Sequence, residues 1–336
     1  MGSIVRVAAV QAEPVWLDLA GTTEKTLALI ADAAGRGAQL VAFPETWLPG
    51  YPVFLWTHPV PEQLPFVARY HANSPAIDAP EILAIREAAR RHGITVVIGL
   101  SEKAHGTLYM AQAIIGPDGE VVLHRRKLKP THAERTLFGE SDGSGLQVVD
   151  TPLGRVGALN CWEHLQPLVK FALYAQHEQI HVAGWPCFGI FGDHNSLGTE
   201  ASMAITRTYA IEGGAFVVVA SQILSDDGAL VFAVDGTRPP IYTGGGGVAR
   251  VFGPDGGLLT APLDPHTEGL AIADIDLSQI DIAKAFADPV GHYSRPDVFT
   301  YAVDRTARTP AHVGAIDDPT LPHADLPAAV AETAAV

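Results

Sequence analysis

Apolar runs rich in β-branched and small residues recur at residues 4–11, 39–43, 94–100, 155–160, 180–185 and 215–222, with helix-like stretches between most of them. Short runs of this kind predict buried strands, and strands alternating with helices predict a largely parallel sheet with helices packed on it. Over residues 22–34, Leu27, Ile30, Ala31 and Ala34 share one helical face, Thr22 or Thr23 can cap it, and Gly35 and Gly37 stop it. Asp78 is placed to cap a second helix over residues 80–91, with Ile82, Ile85 and Ala89 facing inward. The pattern then changes, because residues 111–115 and 120–124 flank Gly116-Pro117-Asp118-Gly119, the chemistry of a hairpin turn. The device recurs where residues 248–252 lead into Gly253-Pro254-Asp255-Gly256 and the chain returns from Leu258. A further helix is expected from about residue 196 to 212, closed by Gly213 and Gly214. The expected class is α/β: two mixed sheets packed face to face with helices outside, in a single domain over residues 1–303. Residues 304–336 are rich in Ala, Pro, Thr and Asp and hold no aromatic residue, so they read as a disordered C-terminal tail.

Charge narrows the function. With 22 Lys plus Arg against 37 Asp plus Glu, the net charge of −15 repels nucleic acid and anionic membrane surfaces, so neither is an expected partner. No apolar stretch reaches the roughly 18 residues needed to span a bilayer, and residues 1–10 lack a basic region followed by a long apolar run. A soluble, cytoplasmic protein is expected. In that reducing compartment Cys161 and Cys187 are read as thiols rather than as a disulfide.

Chemistry concentrates at three places. Arg155-Val156-Gly157-Ala158-Leu159-Asn160-Cys161-Trp162-Glu163-His164 ends a strand on a cysteine just before a helix-like run. Unpaired helix N–H groups there favour thiolate over thiol, although a lone strand-end cysteine also fits a small buried apolar residue. Glu45 follows the strand at residues 39–43, where open α/β sheets place their sites and a partly dry pocket raises a carboxyl pKa. The aromatic, proline-rich residues 47–61 beyond it, with Tyr51, Phe54 and Trp56, read as a pocket wall. His124-Arg125-Arg126-Lys127-Leu128-Lys129-Pro130-Thr131 is a cationic cluster at the end of the first hairpin, and Glu134 lies seven residues beyond Lys127. Two other motifs carry no such expectation. His177-Glu178-Gln179-Ile180-His181 matches the H-E-x-x-H zinc pattern, but Val182-Ala183-Gly184-Trp185-Pro186 follows at once, so the helix should end near Gln179 with His181 in the next strand. Gly244, Gly245, Gly246 and Gly247 lack the Lys-Ser/Thr and helix of a phosphate loop and are read as letting a strand pack closely.

Phe43-Pro44-Glu45, then residues 126–132 with Glu134-Arg135, then Asn160-Cys161-Trp162-Glu163-His164, in that order and spacing, resemble the nitrilases of the carbon–nitrogen hydrolase superfamily. The resemblance runs from about residue 4 to 301 and includes Gly184-Trp185-Pro186 and Gly291-His292-Tyr293-Ser294-Arg295-Pro296-Asp297. It implies a four-layer α-β-β-α sandwich with a Glu-Lys-Cys site: Glu45 as base, Lys127 as cation, Cys161 as nucleophile and Glu134 as a second, positioning carboxylate. Amidase and carbamoylase branches typically carry an aspartate two residues after the nucleophile, whereas Trp162-Glu163-His164 follows the nitrilase branch. Homo-oligomers, often dimers that stack into spirals, are implied as well.

The chemistry expected from this trio is nitrile hydrolysis. Glu45 takes the thiol proton as sulfur attacks the nitrile carbon, and Lys127 with the Trp162 N–H stabilises the charge growing on nitrogen. Water then converts the thioimidate to thioester and acid, with ammonia released and amide as a by-product if thiolate is expelled first. No metal or organic cofactor is required. Tyr51, Trp56, Trp162, His164, Trp185 and Phe188 are expected to bind substrate, favouring an aryl or other apolar nitrile such as phenylacetonitrile. Cyanide conversion and aliphatic amide hydrolysis are same-fold alternatives, and an inactive assembly or thiol-binding protein is the alternative from another class.

Overall fold

The computed structural model describes residues 4–191, 194–234, 236–237 and 244–308. Among them the chain runs β1 (Ile4–Ala12), α1 (Leu19–Gly35), β2 (Leu40–Ala42), α2 (Phe54–Thr57), α3 (Val60–Ala72), α4 (Pro80–His92), β3 (Thr95–Ala104), β4 (Thr107–Ile115), β5 (Val121–Arg126), β6 (Val149–Thr151), β7 (Gly154–Asn160), α5 (Pro167–Tyr174), β8 (Ile180–Trp185), α6 (Thr199–Gly213), β9 (Phe216–Gln222), α7 (Asp226–Leu230), β10 (Arg250–Phe252), β11 (Gly269–Asp276) and α8 (Gln279–Phe286).

The strands form one ladder in the order β5-β4-β3-β2-β1-β9-β8-β7-β6, with β11 antiparallel on β1 and β10 antiparallel on β9. β1 meets β9 only through Gln11–Ser221 and Ala12–Gln222, so this short joint divides the ladder into two halves. Side-chain alternation shows how the halves sit. Val7, Ala42 and Val97 from one half share a buried cluster with Val156, Val182 and Val218 from the other, so these faces pack on each other. The opposite face of the first half, including Ala8, Val10 and Ile98, packs on Ile30 of α1 and Ile82 and Ile85 of α4. On the outer face of the second half, Leu159, Ala183 and Val217 pack with Leu173 of α5 and Tyr209 of α6. Helix, sheet, sheet and helix are therefore stacked as four layers, as expected. Each fully buried valine in the central layer contributes about 1.5–3 kcal/mol relative to exposure.

Several local expectations are corrected. The cap of α1 is Asp18, whose carboxylate accepts from Gly21 N at 3.0 Å. Thr23 and Thr26 instead return their hydroxyls to the Leu19 and Thr22 carbonyls inside the helix. The buried stripe is accordingly Thr22, Thr23, Thr26, Ile30 and Ala33, and Ala31 is exposed. α4 starts after Ala79 with no side-chain cap, so Asp78 does not serve. Residues 47–61 are not one loop, because α2 and the start of α3 interrupt them. The late hairpin closes only as a single bridge, Phe252 to Leu258, before the chain runs on to β11. Gly246 lies where a Cβ would fall 2.2 Å from Gly189 N, so the glycine run does permit close packing, though against a turn rather than as a strand. Of the tail expected from residue 304, Arg308 is tied to the domain by its backbone N–H, 2.7 Å from Asp142 Oδ2, and residues 309–336 lie outside the described residues. No helix among the described residues is long and apolar enough to cross a membrane.

Candidate active site

Lys127 and Cys161 each stand one residue beyond a strand, β5 and β7, and Glu45 stands three beyond β2. The backbone before Glu45 continues the sheet, with Phe43 N donating to Val97 O at 2.8 Å. β3 passes so close that a Cβ on Gly99 would lie 2.2 Å from the Pro44 carbonyl, which leaves no room for a side chain there. Gln222, at the end of β9, donates to the Glu45 carbonyl at 2.6 Å and accepts from Tyr51 N at 3.1 Å. Lys127 N donates to Met110 O at 2.6 Å, so the ladder also fixes the lysine backbone.

These placements bring the three side chains together in a closed site. The Lys127 ammonium donates to Glu45 Oε1 and to Glu134 Oε2, each at 2.8 Å, with all three side chains buried. Oxygens of Glu45 and Glu134 and the Cys161 sulfur lie within 4.8 Å of one another. That donor set would suit a metal ion, but Lys127 already supplies the cation between the carboxylates. Glu134 is further fixed by Thr131 N at 2.6 Å and by the Tyr51 hydroxyl at 2.8 Å. Tyr51 in turn accepts from Trp56 Nε1 at 2.8 Å, which links the pocket wall to the second carboxylate.

Burial sets the protonation states. It raises Glu45 to about 8, against the opposing pull of Lys127. Lys127 is held firmly protonated: burial works against its charge, but Glu134 and Glu45 outweigh it. The Cys161 thiol is pushed well above its ordinary value by burial and then by Glu45, with Lys127 and the Trp162 N–H only partly offsetting this. The lean towards thiolate expected of the helix N–H groups is therefore corrected, and the resting form is the thiol whose proton Glu45 is expected to take. The dry pocket and its carboxylates overcome the short 3₁₀ turn Cys161–Leu165, so attack by sulfur requires concerted proton removal.

Cys161 itself adopts a left-handed backbone with φ of 46°. A non-glycine residue held there costs about 1–3 kcal/mol and persists only if its surroundings enforce it. Glu163 supplies much of that enforcement. Its buried carboxylate accepts from Arg125 at 2.6 and 2.9 Å, from Leu128 N at 3.0 Å and from Asn160 N at 2.9 Å. Burial alone would raise its pKa, but Arg125 and these N–H groups hold it below the ordinary value, as a carboxylate. One side chain thus ties the residues flanking Lys127 to the residue before Cys161.

A narrow pocket opens onto Cys161, lined by Tyr51, Trp56, Thr131, Glu134, Trp162, Trp185, Phe188, Phe191 and Leu197. Trp56 stacks on His132 with centroids 5.3 Å apart and meets Phe191 edge-on at 5.1 Å. Five of the expected substrate contacts, Tyr51, Trp56, Trp162, Trp185 and Phe188, are on this wall. His164 is not. It is buried behind Cys161, with Nδ1 2.6 Å from the Cys161 carbonyl and its ring stacked on Trp185. Phe54 is a core residue packed on Phe66 and Tyr70. Cys187 is buried as well, its thiol pushed up by burial. Sequence reasoning missed Phe191, Leu197 and the positioning residue Gln222; Phe191 continues the aromatic run from Phe188, while Leu197 and Gln222 carry no local signal. His181 is buried in β8 as expected and apart from His177, but α5 ends at Tyr174 rather than near Gln179, so His177 is exposed in the following turn.

Residues 6–285 match the carbon-nitrogen hydrolase family. The chain is 50% identical over 312 residues to an arylacetonitrilase of Aspergillus kawachii, covering 92% of this chain and 94% of that protein. It is 48% identical over 309 residues to an aliphatic nitrilase of Rhodococcus rhodochrous, covering 91% and 84% respectively. In three dimensions it is similar to the crystal structure of a carbon-nitrogen hydrolase from Helicobacter pylori, with a TM-score of 0.69 at 20% identity over 88% of this chain and 97% of that one. With this match over most of its length and with Glu45, Lys127 and Cys161 gathered at three strand ends, the chain belongs to the carbon-nitrogen hydrolase family.

Proposed function

We propose that the protein is a nitrilase that hydrolyses organic nitriles to carboxylic acid and ammonia through a thioimidate on Cys161. The observation that carries this reading is the division of labour on Glu45. Lys127 holds Oε1, Oε2 is buried with no hydrogen-bond partner among the described residues, and the carboxylate brings an oxygen within 4.8 Å of the Cys161 sulfur. Oε2 accepts the thiol proton as sulfur bonds to the nitrile carbon. Charge growing on nitrogen meets the Lys127 ammonium and the Trp162 N–H, in a pocket where such contacts are strong. The thioimidate nitrogen is protonated, one water adds and ammonia departs to leave a thioester. A second water, activated by Glu45, releases the acid and restores the thiol. Glu45 held near 8 suits a base that must take and return a proton near neutral pH.

The aromatic wall supports a substrate carrying an aryl group one carbon from the cyano carbon. The Aspergillus relative is named an arylacetonitrilase and the Rhodococcus relative an aliphatic nitrilase, so the choice between them is an experimental one. Specificity constants for phenylacetonitrile, benzonitrile, an aliphatic dinitrile, cyanide and an aliphatic amide test it. Phenylacetonitrile should rank first, and a clear preference for cyanide or a dinitrile would refute the aryl pocket while leaving the chemistry standing. Ammonia from amides alone would refute nitrile hydrolysis itself.

The same reading has residues 1–303 acting as one catalytic unit in the cytoplasm, where Cys161 and Cys187 stay reduced. It also includes a homo-oligomer. Leu165 just before α5, Leu168 on α5 and Ile211 on α6 are exposed apolar side chains on one outer layer, which suits burial against a second copy.

A further inference from the structure

The zinc-like sequence motif has a different use in the fold. Glu178 and His181 are fully buried and, with His164 and Tyr209, make a continuous chain of hydrogen bonds that ends on the nucleophile's own backbone. The Tyr209 hydroxyl lies 2.5 Å from Glu178 Oε2, and Glu178 Oε1 lies 2.8 Å from His181 Nδ1. His181 Nε2 lies 2.9 Å from His164 Nε2, and His164 Nδ1 lies 2.6 Å from the Cys161 carbonyl. Space for the Glu178 carboxyl comes from Gly157 on β7, where a Cβ would fall 2.0 Å from Oε1.

The proton positions follow from one fixed end. A carbonyl only accepts, so His164 Nδ1 carries hydrogen and, in the neutral ring, its Nε2 is an acceptor. His181 Nε2 must then donate, which leaves His181 Nδ1 as an acceptor facing Glu178. That contact is a hydrogen bond only if Glu178 Oε1 carries the proton. We propose that Glu178 works as a carboxylic acid, a positioning residue that closes a one-way chain from Tyr209 through Glu178, His181 and His164 to the Cys161 carbonyl and so holds the nucleophile in its left-handed backbone. Loss of the Glu178 proton to solvent leaves one contact in the chain without a hydrogen, whichever tautomers the rings adopt. Two lone pairs then face each other within the chain that supports the Cys161 carbonyl.

The surroundings agree. Burial raises Glu178 to about 8, with the Tyr209 hydroxyl pulling the other way. Burial also lowers both His164 and His181 well below their ordinary value, and after it the neighbouring His181 lowers His164 and Arg125 lowers His181, so neither ring takes the charge in place of Glu178. The charged and titratable groups facing the chain are Arg125 on β5, Glu163 in the turn after Cys161, Lys170 and Tyr174 on α5, and Tyr209 and Glu212 on α6, while Arg155 on β7, His177 before β8, Asp281 and Lys284 on α8 and Asp288 beyond it line one pocket with Glu178, with Lys284 paired to Asp288. Arg125 is neutralised by Glu163 and Lys170 by Glu212, so neither stabilises a Glu178 carboxylate directly.

The proposal rests on Cys161 as nucleophile, and its test separates the two ideas. In Glu178→Gln the amide N–H donates to His181 and the amide oxygen accepts from Tyr209, which reproduces the acid without a titrating proton. On the preferred nitrile its kcat should stay within about two-fold of wild type, and the alkaline fall of kcat should vanish while the acid limb set by Glu45 remains. Glu178→Leu breaks the chain and should lower kcat by about 10–100-fold with KM little changed, the scale of a small misplacement of reacting groups. Infrared difference spectra of the unmodified protein across the Glu178 midpoint should show a buried carboxylic-acid C=O band from Glu178, in addition to any from Glu45, which also lies near 8, and Glu178→Gln should lack the Glu178 component alone. This readout needs neither turnover nor the leucine variant to fold. A Glu178→Gln enzyme as impaired as Glu178→Leu, a retained alkaline limb, or an unchanged infrared band would each overturn the proposal.

Discussion

Glu163 Oε1 meets Arg125 Nη2 at 2.6 Å with both side chains closed to solvent, and the same carboxylate also accepts the Leu128 and Asn160 N–H groups. Removing one member of such a buried pair leaves the other charge unpaired, which costs about 3–5 kcal/mol. Glu163→Ala should therefore lose that much in denaturant unfolding and most of its activity, since the Lys127 and Cys161 backbones lose their common tie. A stability change below about 1 kcal/mol, within the range of an exposed ion pair, would contradict the positioning role.

Stability against pH offers a second test. Glu178 is held near 8 in the fold against an ordinary value of 4.5. The folded state keeps a proton that the unfolded chain releases, so this group's stabilisation is full below about 4.5 and is lost as pH rises through about 8. The amide introduced by Glu178→Gln does not titrate. The melting temperature of that variant should therefore rise relative to wild type between about pH 5 and about pH 9, whereas a constant offset would show that Glu178 is not the titrating group.

Tyr51 bridges Trp56 and Glu134, accepting from one and donating to the other at 2.8 Å each. Tyr51→Phe leaves a buried indole N–H and a carboxylate oxygen short of a partner. Hydrogen bonds to charged groups are worth about 1.5–3 kcal/mol, so kcat/KM should fall by about 10–100-fold. Steady-state kinetics at neutral pH measures this, and an unchanged value would show that Glu134 is held well enough by Lys127 and Thr131.

Gly99 carries its consequence in backbone contact. A Cβ there would sit 2.2 Å from the Pro44 carbonyl and 3.0 Å from Glu45 Cα, and neither is a flexible side-chain end. Gly99→Ala should displace Glu45 and lose at least about 100-fold in kcat, in line with the cost of misplacing a catalytic group. A fully active, equally stable alanine variant would show that β3 yields more easily than the packing implies.

The sequence carried the layers because its strand runs alternate, residue by residue, between two apolar surroundings, as Val7 and Ala8 do on opposite faces of β1. Glu45, Lys127 and Cys161 were legible from the motifs around them, and the tryptophans of the wall from their places beside those motifs. What escaped depended on which way a side chain turns after the chain has folded. His164 follows the nucleophile by three residues, and the 3₁₀ turn carries its ring inward onto His181 rather than into the pocket. The thiolate expectation failed because burial is a property of the assembled site, and it outweighs a five-residue turn. Asp18 took the helix cap from Thr22 because the threonine hydroxyls found carbonyl partners instead, and propensity alone does not decide between the two.

In the proposed reaction Cys161 is the nucleophile and Glu45 its proton acceptor, and the two buried thiols make that assignment directly testable. Ammonia release from phenylacetonitrile should be measured for Cys161→Ala and Cys187→Ala, with folding checked by circular dichroism. Cys161→Ala should release none above background while Cys187→Ala keeps most of the wild-type rate. Equal losses in two well-folded variants, or turnover surviving in Cys161→Ala, would contradict the account.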